Sequence, residues 1–94
     1  MIVRELTRSD GRPVVLRMEA PTQEGGDWFT RWSIEGLSEK EPLITVSSGG
    51  IDPLQSLLCA LAGLGDRVHS SGIDLRFLGS EQLQLLRARD LPEG

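Results

Sequence analysis

The sequence predicts an α+β fold, in which one antiparallel sheet of four to five strands, arranged as a meander, carries one main α-helix on one face. Three observations support this fold class. Apolar and polar residues alternate with period two through much of the first half of the chain. An Asp-Gly turn separates the first two alternating segments. A capped apolar run with helical spacing then extends from Ser48 to Gly65.

The chain length favours one domain. Its 94 residues leave room for one small hydrophobic core. We therefore expect a single domain over residues 1–94.

Period-two alternation predicts four strands before the helix. These strands are residues 2–8, 13–20, 27–36 and 43–47. On the third strand, one face carries Trp28, Thr30, Trp32 and Ile34. Residues 21–26 are rich in Pro and Gly and are expected to form a loop. Because the connections are short, neighbouring strands should run antiparallel.

The main helix is predicted over about residues 52–69. Asp52 is placed to cap the first turn, and Pro53 stands at the first helical position, where its missing N–H costs nothing. Gln55 follows at the spacing of a capping box. Apolar residues then recur at helical spacing and are expected to face the sheet: Leu54, Leu57, Leu58, Leu61, Leu64 and Val68.

Two shorter elements are predicted after the main helix. Ile73, Leu75 and Phe77 alternate with charged residues, which favours a fifth strand over about residues 73–78. Residues 80–86 are expected to form a short C-terminal helix.

The charge balance disfavours several classes of partner. The net charge is −4 and the pI is near 4.9, whereas nucleic-acid binding needs a basic surface. No apolar run is long enough to cross a membrane, so no membrane partner is expected. The first residues show no signal-peptide pattern, and Cys59 is the single cysteine. We therefore expect a cytoplasmic protein.

Acidic residues gather between residues 19 and 41. Such a segment would steer a basic protein partner toward this part of the surface. The acidic residues expected to face that partner are Glu24, Asp27, Glu35, Glu39 and Glu41.

No catalytic, cofactor-binding or metal-binding residue is predicted, and we expect the protein not to be an enzyme. His69 is the single histidine, and Cys59 would lie about 15 Å from it along a straight helix. The corner from Gly49 to Asp52 has the outline of an anion-binding turn, but it lacks the Lys and Ser/Thr of a P-loop. We expect a capped turn there.

The helix has a second face without charge. No charged residue occurs between Asp52 and Asp66, although an exposed helix usually carries charges. Opposite the leucines lie Ser56, Cys59, Ala60 and Gly63. Two interpretations stay open: a weakly polar solvent face, or an interface at which small residues allow another backbone to approach closely.

A motif at the start of this helix carries a resemblance to a known family. The motif runs Gly50-Ile-Asp-Pro-Leu-Gln-Ser-Leu-Leu-Cys-Ala-Leu, with Trp32-Ser-Ile-Glu-Gly before it and Leu75-Arg-Phe-Leu-Gly79 after it. It resembles a family of small bacterial domains of unknown function, whose helix opens on Gly-Ile/Val-Asp-x-Leu/Val-Gln-Ala-Leu. Ser56 replaces the Ala of that pattern. The resemblance covers about residues 13–80 and implies the fold, but no activity.

Three functions are therefore kept open. The preferred one is a small acidic protein that binds another protein, for example as an inhibitor or immunity-type partner. The second is a homodimeric accessory protein that associates through the uncharged helix face. The third is a small-ligand binder or an enzyme that uses the corner from Gly49 to Asp52.

Overall fold

The computed structural model describes residues 1–91, and its architecture confirms the predicted α+β class. One helix packs on one antiparallel sheet of six strands. The elements are β1 (Ile2–Arg8), β2 (Pro13–Met18), β3 (Thr22–Glu24), β4 (Asp27–Glu35), β5 (Leu43–Gly50), α1 (Pro53–Ser70), β6 (Leu75–Arg76) and a 3₁₀ helix (Ala88–Asp90). Residues 92–94 of the predicted domain lie outside the described residues.

β1, β2, β4 and β5 form a meander, and the last strand, β6, adds to the outer edge of β1. β1 pairs with β2, and Ile2 lies opposite Met18. β2 and β3 pair with successive parts of β4, and β5 also pairs with β4. After α1 the chain returns to β1, where Leu75 of β6 lies opposite Arg8. β5 and β6 are therefore the two ends of the sheet.

Long-range pairing changes several of the predicted boundaries. The predicted loop over residues 21–26 is wrong at Thr22–Glu24, because β4 supplies hydrogen-bonding partners that local composition does not reveal. For the same reason β5 continues beyond residue 47 to Gly50, opposite Trp28. β6 is shorter than the predicted strand over residues 73–78.

The predicted C-terminal helix over residues 80–86 is wrong. This segment has no regular structure from residue 82 to residue 87, and it crosses α1 close to Gly65. Two long-range interactions hold it there. The guanidinium of Arg4 donates to the carbonyls of Leu83 and Gln84 at 2.9 and 2.8 Å, and the carboxylate of Asp66 accepts from the N–H of Ala88. We call residues 81–91 the strap.

The start of α1 is capped as predicted. The Asp52 carboxylate accepts from the N–H of Gln55 at 2.7 Å, and the Gln55 side chain accepts from the N–H of Ile51 at 2.7 Å. The Asp52 bond satisfies a backbone donor that a helix start leaves without an intrahelical partner. The Gln55 side chain bonds the residue before the N-cap, Ile51, and not the N-cap N–H that a capping box engages. In the described residues, no helix is long and apolar enough to cross a membrane.

The core lies between the sheet and α1, but α1 is rotated relative to its predicted packing. Of the six apolar residues expected to face the sheet, Leu64 and Val68 are buried. Leu57 and Leu61 are partly buried against the core, whereas Leu54 is 63% exposed. The apolar stripe therefore lies to one side of the helix face that meets β4.

Candidate interaction surface

The helix face predicted as an exposed interface lies mostly against the sheet. Ser56 and Ala60 are 0% exposed, and a Cβ on Gly63 would stand 3.3 Å from the ring of Trp32. The expectation that this face is exposed is therefore wrong, except at Cys59, which is exposed. Large side chains such as Trp32 already fill the sheet surface, so that only small helix residues fit above them. The backbone that approaches this face is the chain's own sheet.

A buried hydrogen bond joins this helix face to the sheet. The hydroxyls of Thr30 and Ser56 lie 2.9 Å apart, and both residues are 0% exposed. The Ser56 hydroxyl donates to the carbonyl of Pro53 at 2.9 Å. Thr30 is therefore the donor in the bond to Ser56, since a serine hydroxyl has one proton. This bond places a polar contact inside the core.

We expect Ser56→Ala to lower the free energy of unfolding by about 1–3 kcal/mol, because it leaves the buried Thr30 hydroxyl without its partner. Urea unfolding followed by circular dichroism measures this loss. The double variant Thr30→Val, Ser56→Ala should recover most of it, since an apolar pair needs no hydrogen bond. A double variant less stable than Ser56→Ala would contradict this account.

The acidic residues predicted to face one partner do not form one surface. Glu24 and Asp27 lie opposite each other in the β3–β4 hairpin. Glu35, Glu39 and Glu41 lie at or beyond the other end of β4, and Glu35 is about 27 Å from Asp27 for a strand of this length. Each of these three meets an arginine: Glu35 with Arg17 at 2.5 Å, Glu39 with Arg12 at 2.6 Å and Glu41 with Arg67 at 2.7 Å. Because the arginines offset the negative charge of these three glutamates, the glutamates attract a basic partner less strongly.

The corner from Gly49 to Asp52 is occupied by the chain itself. A Cβ on Gly50 would stand 2.4 Å from the backbone nitrogen of Ser56, so the helix start lies directly against the end of β5. The N–H groups of Ile51 and Gln55 already bond to side chains of the same turn. Two of the backbone donors that an anion could use at this corner are thus already bonded.

Potential catalytic and metal-binding side chains are scattered. In residues 1–91, no group of three or more His, Cys, Asp and Glu is placed to hold a metal ion. On the sheet face opposite α1, charged residues lie in ion pairs, among them Arg31 with Glu19 at 3.7 Å. His69 and Cys59 are both exposed on α1.

The outer edge of β5 differs from the rest of the surface. In the described part of the chain, β5 pairs with β4 alone and leaves its second edge open. Its sequence, Leu-Ile-Thr-Val-Ser-Ser-Gly-Gly, contains neither a charged residue nor a proline. Natural proteins usually protect an edge strand with charges, prolines, bulges or a covering segment, because an open edge can pair with another chain.

Exposed apolar side chains stand at both ends of this strand. Leu43 at its start is 59% exposed, and Ile51 and Leu54 just after its end are 76% and 63% exposed. The helix that follows lies over β4 and β5. Between residues 42 and 65 the chain carries one charged residue, Asp52. We call the open edge of β5 with the adjoining side of α1 the uncharged surface.

The opposite end of the sheet is protected. β1 carries Arg4, Glu5 and Arg8, and the short strand β6 pairs with its end. The Arg4 guanidinium lies over the ring of Phe77, 4.3 Å from its centroid, and also holds the strap. The contrast between the two edges is the feature that sequence reasoning missed. The signal in the sequence was the run over residues 42–65, in which Asp52 is the one charged residue; the sequence prediction applied this signal to the helix alone.

Comparison with known families places this surface within the range that one family model matches. A family model described as Domain of unknown function (DUF6968) matches residues 2–85, a range that includes β5 and α1. No curated protein and no solved structure matches the chain. The chain belongs to the family described as Domain of unknown function (DUF6968).

Proposed function

We propose that this protein acts by binding another protein chain through the uncharged surface. The observation that carries the proposal is the open edge of β5, a strand without charge or proline. An extended segment can add to such an edge through main-chain hydrogen bonds. Exposed Leu43 and Ile51 beside the strand add apolar area of the kind that stabilises protein contacts.

In this proposal the main source of affinity is the uncharged surface, and not electrostatic attraction between the acidic residues and a basic partner. The inhibitor or immunity-type role rested on one acidic segment, and its residues lie at two ends of β4. The uncharged surface instead offers backbone groups and apolar side chains. Backbone amides and apolar side chains can bind an extended protein segment, but they do not perform acid–base or nucleophilic chemistry. We therefore propose a role that is not catalytic.

Capture from cells tests the proposal with a matched pair of variants. Thr45 in β5 and Thr7 in β1 are both exposed strand threonines, and lysine is a natural protector of edges. We expect the wild-type chain and Thr7→Lys to be crosslinked to the same partner, either a second copy or another protein, in the cells that make the chain. Thr45→Lys should lose that partner. A partner captured equally by all three chains, or no partner at all, would count against the uncharged surface.

We further propose that the protein works in the cytoplasm of a bacterium. The motif Gly50-Ile-Asp-Pro-Leu-Gln resembles the helix start of small bacterial domains. The single cysteine, Cys59, is compatible with a reducing compartment.

A further inference from the structure

We propose that the partner of the uncharged surface is a second copy of this chain, whose β5 pairs antiparallel with the first about a two-fold axis. The proposal rests on the proposed function and names its partner. It also commits to one register, which follows from the hydrogen bonds already present on either side of β4.

The first step identifies which groups of β5 point outward. In an antiparallel ladder, residues that bond to the neighbouring strand alternate with residues that do not. The N–H of Gly36 donates to the carbonyl of Pro42 at 2.9 Å, just before β5 begins. By alternation, the outward residues of β5 are Leu43, Thr45, Ser47 and Gly49.

A second hydrogen bond gives the same assignment independently. The carbonyl of Arg31 accepts from the N–H of Glu19 at 2.9 Å, so Arg31 bonds away from β5. Ser47 is the residue of β5 opposite Arg31. The backbone groups of Ser47 therefore point away from β4, toward the open edge.

The outward groups determine the register. Outward residues of one copy must oppose outward residues of the other, since these residues alone offer free N–H and C=O groups. If Leu43 lies opposite Gly49 of the second copy, then Thr45 lies opposite Ser47 of the second copy, and each pair occurs twice. All four outward residues are then paired, with about eight hydrogen bonds in total. A shift of two residues in either direction leaves one outward residue of each strand without a strand partner.

Side chains at the ends of the strand fit this register. Leu43 and Gly49 lie on the sheet face opposite α1, and the ring of Phe29 stands 3.2 Å from where a Cβ on Gly49 would lie. Opposite Gly49 of the second copy, Leu43 would cover the glycine and approach that aromatic ring. The exposed Leu43 side chain thereby gains apolar contact, and a leucine or aromatic beside a strand glycine is a stabilising arrangement.

The charge pattern permits pairing with a second copy, and the fit of exposed Leu43 to Gly49 favours a second copy over an unrelated chain. Under two-fold symmetry the same strand of both copies forms the contact. A charged strand would therefore place like charges opposite each other. β5 carries none. A stable interface buries about 1,200–2,000 Å² in total, more than one strand edge offers. The symmetry places both α1 helices on the same face of the joined sheet, where their uncharged sides supply further area.

Sedimentation equilibrium and crosslinking test the dimer and its register. We expect the purified chain to dimerise with a micromolar dissociation constant. Thr45→Lys should raise this constant at least about tenfold, and Thr7→Lys should leave it unchanged. In a Cys59→Ser background, Val46→Cys should form a disulfide dimer under mild oxidation, because Val46 would face itself across the axis at a separation near 4.5 Å.

Ser47→Cys in the same background is the register control, because Ser47 would face Thr45 of the second copy and not itself. Efficient crosslinking through Ser47→Cys, with none through Val46→Cys, would overturn the register. A chain that stays monomeric at millimolar concentration would overturn the dimer. Capture of a different protein in cells that depends on Thr45 would then leave the proposed function standing without this inference.

Discussion

Ala60→Glu is expected to cause a large loss of stability. Ala60 is 0% exposed and belongs to the core beneath α1. A glutamate there would bring both excess volume and a charge into an apolar site, and an uncompensated buried charge costs about 3–5 kcal/mol. A domain of this size has roughly 5–14 kcal/mol of stability, and the excess volume adds about 1–3 kcal/mol to the loss. The variant should therefore lose a large part of its stability, and all of it if the wild-type value lies near the lower limit. Circular dichroism and urea unfolding measure the loss.

The neighbouring variant Cys59→Glu is the matched control. It adds the same side chain one position earlier, where the helix is exposed. We expect it to fold with nearly the wild-type urea midpoint when measured at low protein concentration. Wild-type stability of Ala60→Glu would mean that the face predicted from the sequence is indeed exposed, and that the rotation of α1 described above is wrong.

Gly65→Ala is expected to destabilise the domain by about 2 kcal/mol, although alanine is the better helix former. Helix propensity alone predicts a gain of about 1 kcal/mol. At Gly65, however, a Cβ would stand 1.7 Å from the carbonyl oxygen of Leu86, so the strap must move away from α1. Inserting a methyl group into such a contact costs about 1–3 kcal/mol, and displacement also exposes Leu83 of the strap.

Two measurements together identify the cause of that loss. The urea midpoint of Gly65→Ala should lie below that of the wild type. Relative to the wild type, amide hydrogen exchange should accelerate more in the strap than in β4. Cys59→Ala provides the control, since it improves helix propensity at an exposed position. A midpoint that rises equally in both variants would show that the strap does not lie against Gly65.

The candidate site was only partly predictable from the sequence. The run over residues 42–65, in which Asp52 is the one charged residue, was visible in the sequence and indicated a contact surface. Its assignment to Ser56, Ala60 and Gly63 failed because helical spacing leaves the rotation of a helix undetermined. That rotation depends on the volume of Trp32, which comes from a distant strand. The open edge of β5 required the order of the strands, which alternation within one strand does not specify.

Local interactions explain what the sequence by itself determined. Alternation placed the main strands, the Asp-Gly pair placed the first turn, and Asp52 with Pro53 placed the start of α1; each of these signals acts within a few residues. Tertiary structure alone decided the pairing of β3, the strap, the buried face of α1 and the free edge of β5. These features depend on hydrogen bonds and packing between segments far apart in the chain, whose free energy no local pattern contains.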